Sequence, residues 1–243
     1  MAMNPRLLRP TPSGFNPKSI SGLLFWVDFS DASSVTLDGS SKISAVNDKS
    51  GNGYNGTQTT AGNRLGVSTL NGRQCADNGT SANVFCVQYS GGTLNCRDGF
   101  VSAVWDAGGT TFPDYNSFIS TPAVAGTSGG ALMLGSVSTA NLLGAGAWHS
   151  SAGSVSRFNN TAVANGGTLN AFSHIKTPFV YRGYATADIA MSGWQIGGDR
   201  SIASRGWRGR IGEVIVYSRQ LSDAEALRVR RYLATKWGAP AQT

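Results

Sequence analysis

The residues able to carry acid–base, nucleophilic or metal chemistry are few in this chain and stand far apart. There are two glutamates, Glu213 and Glu225, two histidines, His149 and His174, and three cysteines, Cys75, Cys86 and Cys96. Glycoside hydrolysis needs two carboxylates flanking one glycosidic bond. No strand-like segment here carries two acids at alternate positions. Glu225 follows Ser222 by three residues and belongs to a helix cap, and Glu213 stands alone in an apolar run. The histidines are neither close in sequence nor set among acids, although a Ser–His–Asp set assembled in space stays open. Gly51-Asn52-Gly53 and Gly197-Gly198-Asp199 read as turns, since neither leads into a helix. The cysteines are ten or eleven residues apart with no C-x-x-C and no neighbouring histidine, which argues against zinc. With no signal-peptide core ahead of them they read as free thiols of a reducing cytoplasm. The expectation is a chain with no catalytic residues, no cofactor and no metal centre, and so not an enzyme.

Binding chemistry is better represented. Trp105, Trp148, Trp194 and Trp207 fall near strand ends or in loops, where an indole face can stack on a sugar, though packing is the more ordinary use of any one of them. Trp26 and Trp237 lie on apolar stripes and belong to the core. The net charge is +7, arginine outnumbers lysine three to one, and basic residues gather late, from Arg200 to Arg231. Such a field attracts acidic polysaccharide, nucleic acid or an acidic protein surface. No helix-turn-helix, zinc-finger or RNP-like pattern accompanies it, so nucleic acid is the weakest of the three. Arg228, Arg230 and Arg231 are equally well explained as a solvated helix face.

The elements that would position these groups are short strands and one late helix. Charged residues make up only 14% of the 243-residue chain, and 32 glycines punctuate it. That composition suits many strands joined by tight turns, and the length suits one large β-domain. Strands are predicted over 23–28, 84–89, 100–105, 131–136, 179–182, 194–197 and 211–217. Glycine pairs at 91–92, 108–109, 129–130, 166–167 and 197–198 mark turns. In the last strand Ile211, Ile215 and Tyr217 fall on one face and Val214 and Val216 on the other, so both faces are covered. A helix over 221–237 follows. Ser222 and Glu225 form a capping box, Val229, Tyr232, Leu233 and Trp237 an apolar stripe, Gly238 the left-handed stop and Pro240 the block. No apolar run is long enough for a membrane helix.

Three segments carry a family resemblance. Gly209-Arg-Ile-Gly-Glu-Val-Ile-Val-Tyr-Ser-Arg-Gln-Leu-Ser-Asp-Ala-Glu225, closed by Tyr232-Leu-Ala-Thr-Lys-Trp-Gly238, resembles the C-terminus of concanavalin A-like (laminin G-like) jelly-roll domains. Ser21-Gly-Leu-Leu-Phe-Trp-Val-Asp28 is similar to the family's opening strand. Asn47-Asp-Lys-Ser-Gly-Asn-Gly-Tyr54 is similar to its W-x-D-K-S-G-N-G turn, with Val46-Asn47 where a tryptophan is usual, and Leu70-Asn-Gly-Arg73 to its L-N-G start of a strand pair. The likeness covers both ends of residues 20–238, and the middle, about 80–190, only in style. It implies an all-β fold: a two-sheet antiparallel jelly-roll sandwich over residues 21–243 with one C-terminal α-helix. It also implies a rim able to take calcium through Asp48, Asn52, Asp77 and Asn78, although Asx residues in turns more often cap their own backbone.

Residues 1–20 read as a separate, extended N-terminal arm. Four of the eight prolines are there, with Arg6, Arg9 and Lys18 and no acid before Asp28. A disordered terminus is one fate for such a segment. Leu7, Leu8, Phe15 and Ile20 favour the other, an arm docked on a neighbour with Arg6, Leu7, Leu8, Arg9 and Phe15 as partner-binding residues. The arm resembles those of tailed-phage structural proteins. That resemblance implies a virion structural or decorating protein made in the host cytoplasm, whose partners are other virion proteins or copies of itself, and which can present loops to a host-surface glycan. Nucleic acid and membrane are not expected partners. A lectin-type carbohydrate-binding module is the alternative.

Overall fold

A computed structural model describes residues 14–81, 83, 85–113, 115–122, 132–133, 155–164, 172, 175–200, 202 and 204–243. Within them the strands are β1 (Leu23–Asp28), β2 (Val35–Leu37), β3 (Ile43–Val46), β4 (Gly56–Thr57), β5 (Gly66–Leu70), β6 (Arg73–Asp77), β7 (Val87–Trp105), β8 (Ser117–Ser120), β9 (Leu132–Met133), β10 (Val155–Phe158), β11 (Thr161–Ala164), β12 (Phe179–Ile196) and β13 (Gly209–Tyr217). Helix α1 (Asp223–Trp237) closes the chain. The fold is all-β and antiparallel with one C-terminal helix. Its strands form one continuous ladder, β11-β10-β12-β7-β13-β6-β5, with β1 on β13 and the β2–β3–β4 meander joined to β7.

Two pairs of predicted short strands are in fact single long ones, β7 and β12. Gly91-Gly92, expected as a turn, lies inside β7 opposite Gly193 of β12. There the register shifts between Ser192 and Trp194, and Gly193 takes φ 81°. A Cβ at Gly193 would fall 2.0 Å from the Tyr89 carbonyl oxygen, so only glycine lets the two backbones come this close. The predicted strand at 131–136 is described only at Leu132–Met133.

Strand β13 is covered on both faces, as its composition requires. Val214 and Val216 enter the larger core with Phe25, Val27 and Val101, and Ile215 and Tyr217 face α1. Ile211 departs from the expected alternation and joins the larger core. A register shift between Ile211 and Glu213 inverts the faces there, where the Trp237 ring lies over Gly212. Helix α1 begins at Asp223, with Leu221 and Ser222 outside it, and carries the capping box and the left-handed Gly238. Ala226, Val229, Leu233, Ala234 and Trp237 bury against the sheet, each large side chain contributing roughly 1.5–3 kcal/mol.

The arm needs correction where it is described. Asn16 caps a 3₁₀ turn at Pro17–Ser19, and Ile20 is buried. The Tyr217 hydroxyl donates to the Pro17 carbonyl at 3.2 Å. Phe15 packs on Tyr232, with ring centroids 5.4 Å apart, under the Arg228 guanidinium. This end of the segment therefore belongs to its own domain: Phe15 covers the outer edge of α1, where an apolar ring and a long cationic stem fit together. Arg6, Leu7, Leu8 and Arg9 lie outside the described residues.

Candidate functional site

The described tryptophans among the four candidates do not form a sugar platform. Trp105, Trp194 and Trp207 are fully buried. Trp207 packs edge-on to Trp105 and donates its indole N–H to the Val104 carbonyl. Trp194 stacks on Phe25 and donates to the Tyr54 carbonyl. Their backbone acceptors let Trp194 and Trp207 be sealed in the core without an unmet indole, whereas the Trp105 N–H is buried with no hydrogen-bond partner. Trp148 lies outside the described residues. Of the residues suggested for calcium, Asp48 and Asp77 use their carboxylates to hold backbone N–H groups, Asn52 and Asn78 use their amide N–H groups on carbonyls, and Asn78 Oδ1 is buried without a hydrogen-bond partner. Asp48 accepts from the backbone N–H groups of Trp26, Ser50 and Tyr54 and from the Ser50 hydroxyl. Asn52 donates to the Leu23 and Leu24 carbonyls, Asp77 caps Gly79, and Asn78 donates to the Gly197 carbonyl. Among the described residues no three His, Cys, Asp or Glu side chains gather to hold a metal.

Glu213 is not alone. It sits directly across from Asp28 on β1, fully buried. Its two oxygens accept from Trp26 Nε1 (2.6 Å), the Tyr232 hydroxyl (2.9 Å), Lys236 Nζ (2.7 Å) and Trp237 Nε1 (3.0 Å). Lys236 also binds Asp28 at 2.8 Å, and Lys49 bridges Asp28 and Asp31. Burial, then the Asp28 charge, pushes Glu213 up. Asp28, although burial acts to raise it, is held below the usual carboxylate range by Lys236 and Lys49. This network pins α1 to β13, with the Glu213 carboxylate fully buried at its centre.

The open site lies at the other end of α1. Arg157, Arg182 and Arg230 line a pocket of about 300 Å³ with Asp223, Ala224 and Leu227. Arg157 and Arg182 are cross-strand neighbours on β10 and β12. Arg182 is 2% exposed. It forms a bidentate pair with Asp98 on β7 (2.9 and 2.7 Å) and lies over the Tyr184 ring at 4.3 Å. Asp98 also accepts from the Leu221 N–H, so the same carboxylate holds the entry to α1. Burial pushes Asp98 up to about 6, against the downward pull of Arg182.

Arg230 is 5% exposed and donates to oxygens of Asn159, Asn160, Gln242 and Thr243, the last of which also lines the pocket. Its Nε is buried with no hydrogen-bond partner. Burial first, then Arg157 and Arg182, lowers its pKa to about 10. Arg157, half-buried, donates to the Asn160 carbonyl at 3.0 Å. Two like charges directly opposite on a sheet, with a third overhead, cost stability. This is an electropositive pocket that an anion would relieve.

Most other late arginines are ion-paired: Arg200 and Arg205 on Asp199, Arg210 on Asp106, Arg219 on Glu225. Of the pocket residues, the sequence reading named only Arg230, and gave it to solvent as readily as to a ligand. It falls on the buried stripe instead, one residue after Val229. Arg157 and Arg182 carried no local signal. Cys75, Cys86 and Cys96 are free and buried, and burial pushes the Cys75 thiol up to about 12. No described helix is long and apolar enough to cross a membrane.

No family model matches the chain, and no curated protein does. Among solved structures, it is similar to a Trypanosoma rangeli sialidase in complex with sialic acid, at 11% identity and TM-score 0.46, over 90% of this chain and 34% of that one. It is also similar to a GH54 α-L-arabinofuranosidase, at 18% identity and TM-score 0.47, and to an arabinofuranosidase complexed with arabinofuranosyl-α-1,2-xylobiose, at 17% and 0.48. Each of these two covers 90% of this chain and 60% of its own. The chain thus spans from a third to three-fifths of these proteins. They are glycosidases, and none is a virion protein, so the expectations of a virion structural role and of a chain without enzymatic activity are both withdrawn. At these scores the likeness gives this chain neither an activity nor a substrate.

Proposed function

We propose that this domain recognises a ligand through a single oxyanion, a carboxylate or sulfate, held by Arg157, Arg182 and Arg230. The observation that carries the reading is the convergence of three guanidinium groups on one open pocket, one of them almost wholly buried and retaining an unpartnered Nε. Arg presents planar, forked donors suited to such groups. The pocket also borders the start of the fifteen-residue α1, whose N-terminal end adds positive potential. The finer topology we read as a concanavalin A-like jelly roll; the register breaks within β7 and β12 support it, as points where long strands bend between two sheets.

The test is titration of the folded protein with sodium sulfate and with acetate, by calorimetry and by thermal shift. The Arg157→Ala variant is the control, since Arg157 is the least buried of the three. A hydrogen bond to a charged group is worth roughly 1.5–3 kcal/mol, so its loss should weaken binding about ten- to a hundredfold. Melting in the absence of anion should be unchanged or slightly raised, because one repelling charge is gone. Equal binding by wild type and variant, or no binding by either, would refute the reading.

A further inference from the structure

Taking that oxyanion pocket as given, we infer that its ligand is a compact acid bearing hydroxyls beside the anionic group: an acidic monosaccharide unit, not an extended polyanion. The donors and acceptors of the pocket are arranged in two sets. The donors are the guanidinium groups of the three arginines, with Arg182 and Arg230 the most buried, and the Thr243 main-chain oxygen beside them takes one Arg230 N–H. Asp223, the first residue of α1, stands at the mouth, fully exposed, with one oxygen 3.9 Å from Arg182 Nη1. That distance is too long for a hydrogen bond, so the carboxylate has acceptor capacity to offer a ligand.

An ionised carboxylate only accepts. Next to guanidinium donors it therefore selects a molecule that is anionic at one point and a hydroxyl donor at the next. Ala224 and Leu227 add a small apolar part to the lining, suited to the C–H face of a sugar ring. The size agrees, since about 300 Å³ lies at the small end of ligand pockets. A polyanion running past the mouth would meet the Asp223 charge. Its affinity would come instead from many exposed cations neutralising successive charges, whereas Arg182 is already balanced by Asp98.

Four probes separate the contributions: acetate has the carboxylate alone, glucose the hydroxyls alone, glucuronate both, and dextran sulfate is an extended polyanion. Wild type should bind glucuronate at least about tenfold more tightly than acetate, the scale of one good hydrogen bond to a charged group, and glucose not measurably. Asp223→Ala should bring the glucuronate-to-acetate ratio close to one while leaving acetate binding equal or tighter. Its melting temperature in buffer checks that the helix start is intact, and Asp223→Asn, which keeps one acceptor, should recover part of the ratio. Equal wild-type affinities for glucuronate and acetate would overturn the inference, as would a ratio unmoved in Asp223→Ala, or dextran sulfate binding more tightly than glucuronate. If acetate, sulfate and glucuronate all fail to bind, the pocket reading itself falls. If acetate and sulfate bind without preference for glucuronate, only the ligand class does.

Discussion

Replacing Glu213 by glutamine changes one atom and tests whether the buried network beneath α1 holds the helix in place. Each carboxylate oxygen has two donors, Trp26 Nε1 and the Tyr232 hydroxyl on one side, Lys236 Nζ and Trp237 Nε1 on the other. Glutamine can turn its carbonyl to one pair only, and its NH₂ then faces the other. On the Tyr232 side the hydroxyl can rotate to accept, and on the Lys236 side the ammonium keeps Asp28. An indole is an obligate donor. Whichever way the amide turns, one buried indole N–H loses its acceptor and confronts another donor. A buried donor left unmet costs about 1–3 kcal/mol, and a weakened charged hydrogen bond adds about 1 kcal/mol or more. Removing the Glu213 charge relieves its burial and its repulsion of Asp28, which offsets part of this. The net expectation is a loss of about 2–4 kcal/mol, or a fall in Tm of roughly 4–16 °C for a domain of this size. Thermal and urea unfolding followed by tryptophan fluorescence measure it directly, since Trp26 and Trp237 report on the site. A variant melting within 2 °C of wild type, with an unchanged urea slope, would show that the network does not hold the helix.

Two further perturbations probe the ends of the same helix. Phe15→Ala should lower stability by about 1–2 kcal/mol, the sum of one aromatic pair with Tyr232 and one cation–π contact with Arg228; an unchanged Tm would put residues 14–20 back among free terminal segments. Sulfate affinity should rise as pH falls from 7 to 5, because Asp98 titrates near 6 and a bound anion favours its protonated form. The same raised pKa favours the folded state below about 6, so stability from this group declines as pH climbs from 4 through 6. Calorimetry at three pH values checks the affinity, and a profile that is flat or runs the other way would refute the link between Asp98 and the pocket.

What the sequence disclosed was what lies close along the chain. Ser222, Glu225 and Gly238 fix both ends of α1 through contacts within a few residues, and they read correctly. Strand β13 was legible as a strand, but its alternation failed at Ile211 because the inversion depends on Trp237, a ring twenty-five residues further on, lying over Gly212. The tryptophans were undecided for a similar reason. Loop-side position left sugar stacking open beside packing, and for Trp207 and Trp194 the packing reading holds, since they meet their acceptors, Val104 and Tyr54, across the fold. Glu213 was read as solitary because its counterpart, Asp28, comes from the opposite end of the chain.

The arginine pocket shows how far that limit extends to function. Arg182 looked like the polar end of a short strand; its burial is possible only because Asp98, on the neighbouring long strand, supplies a bidentate partner. Once Asp98 is committed to Arg182, no described Asp or Glu side chain pairs with Arg157 opposite or Arg230 above, whose hydrogen bonds go to oxygens of Asn159, Asn160, Gln242 and Thr243. A sheet selected for stability alone would place an acid or an apolar residue across from Arg182. Arg230 could have been found from the sequence, since positions 226, 229, 230, 233 and 237 lie on one helical face and only one of them is charged. A guanidinium held on a buried stripe, with one N–H left unmet, costs the fold free energy that an anion in the pocket would return. Function is legible at that position as a local violation of the rule that shaped the rest of the helix.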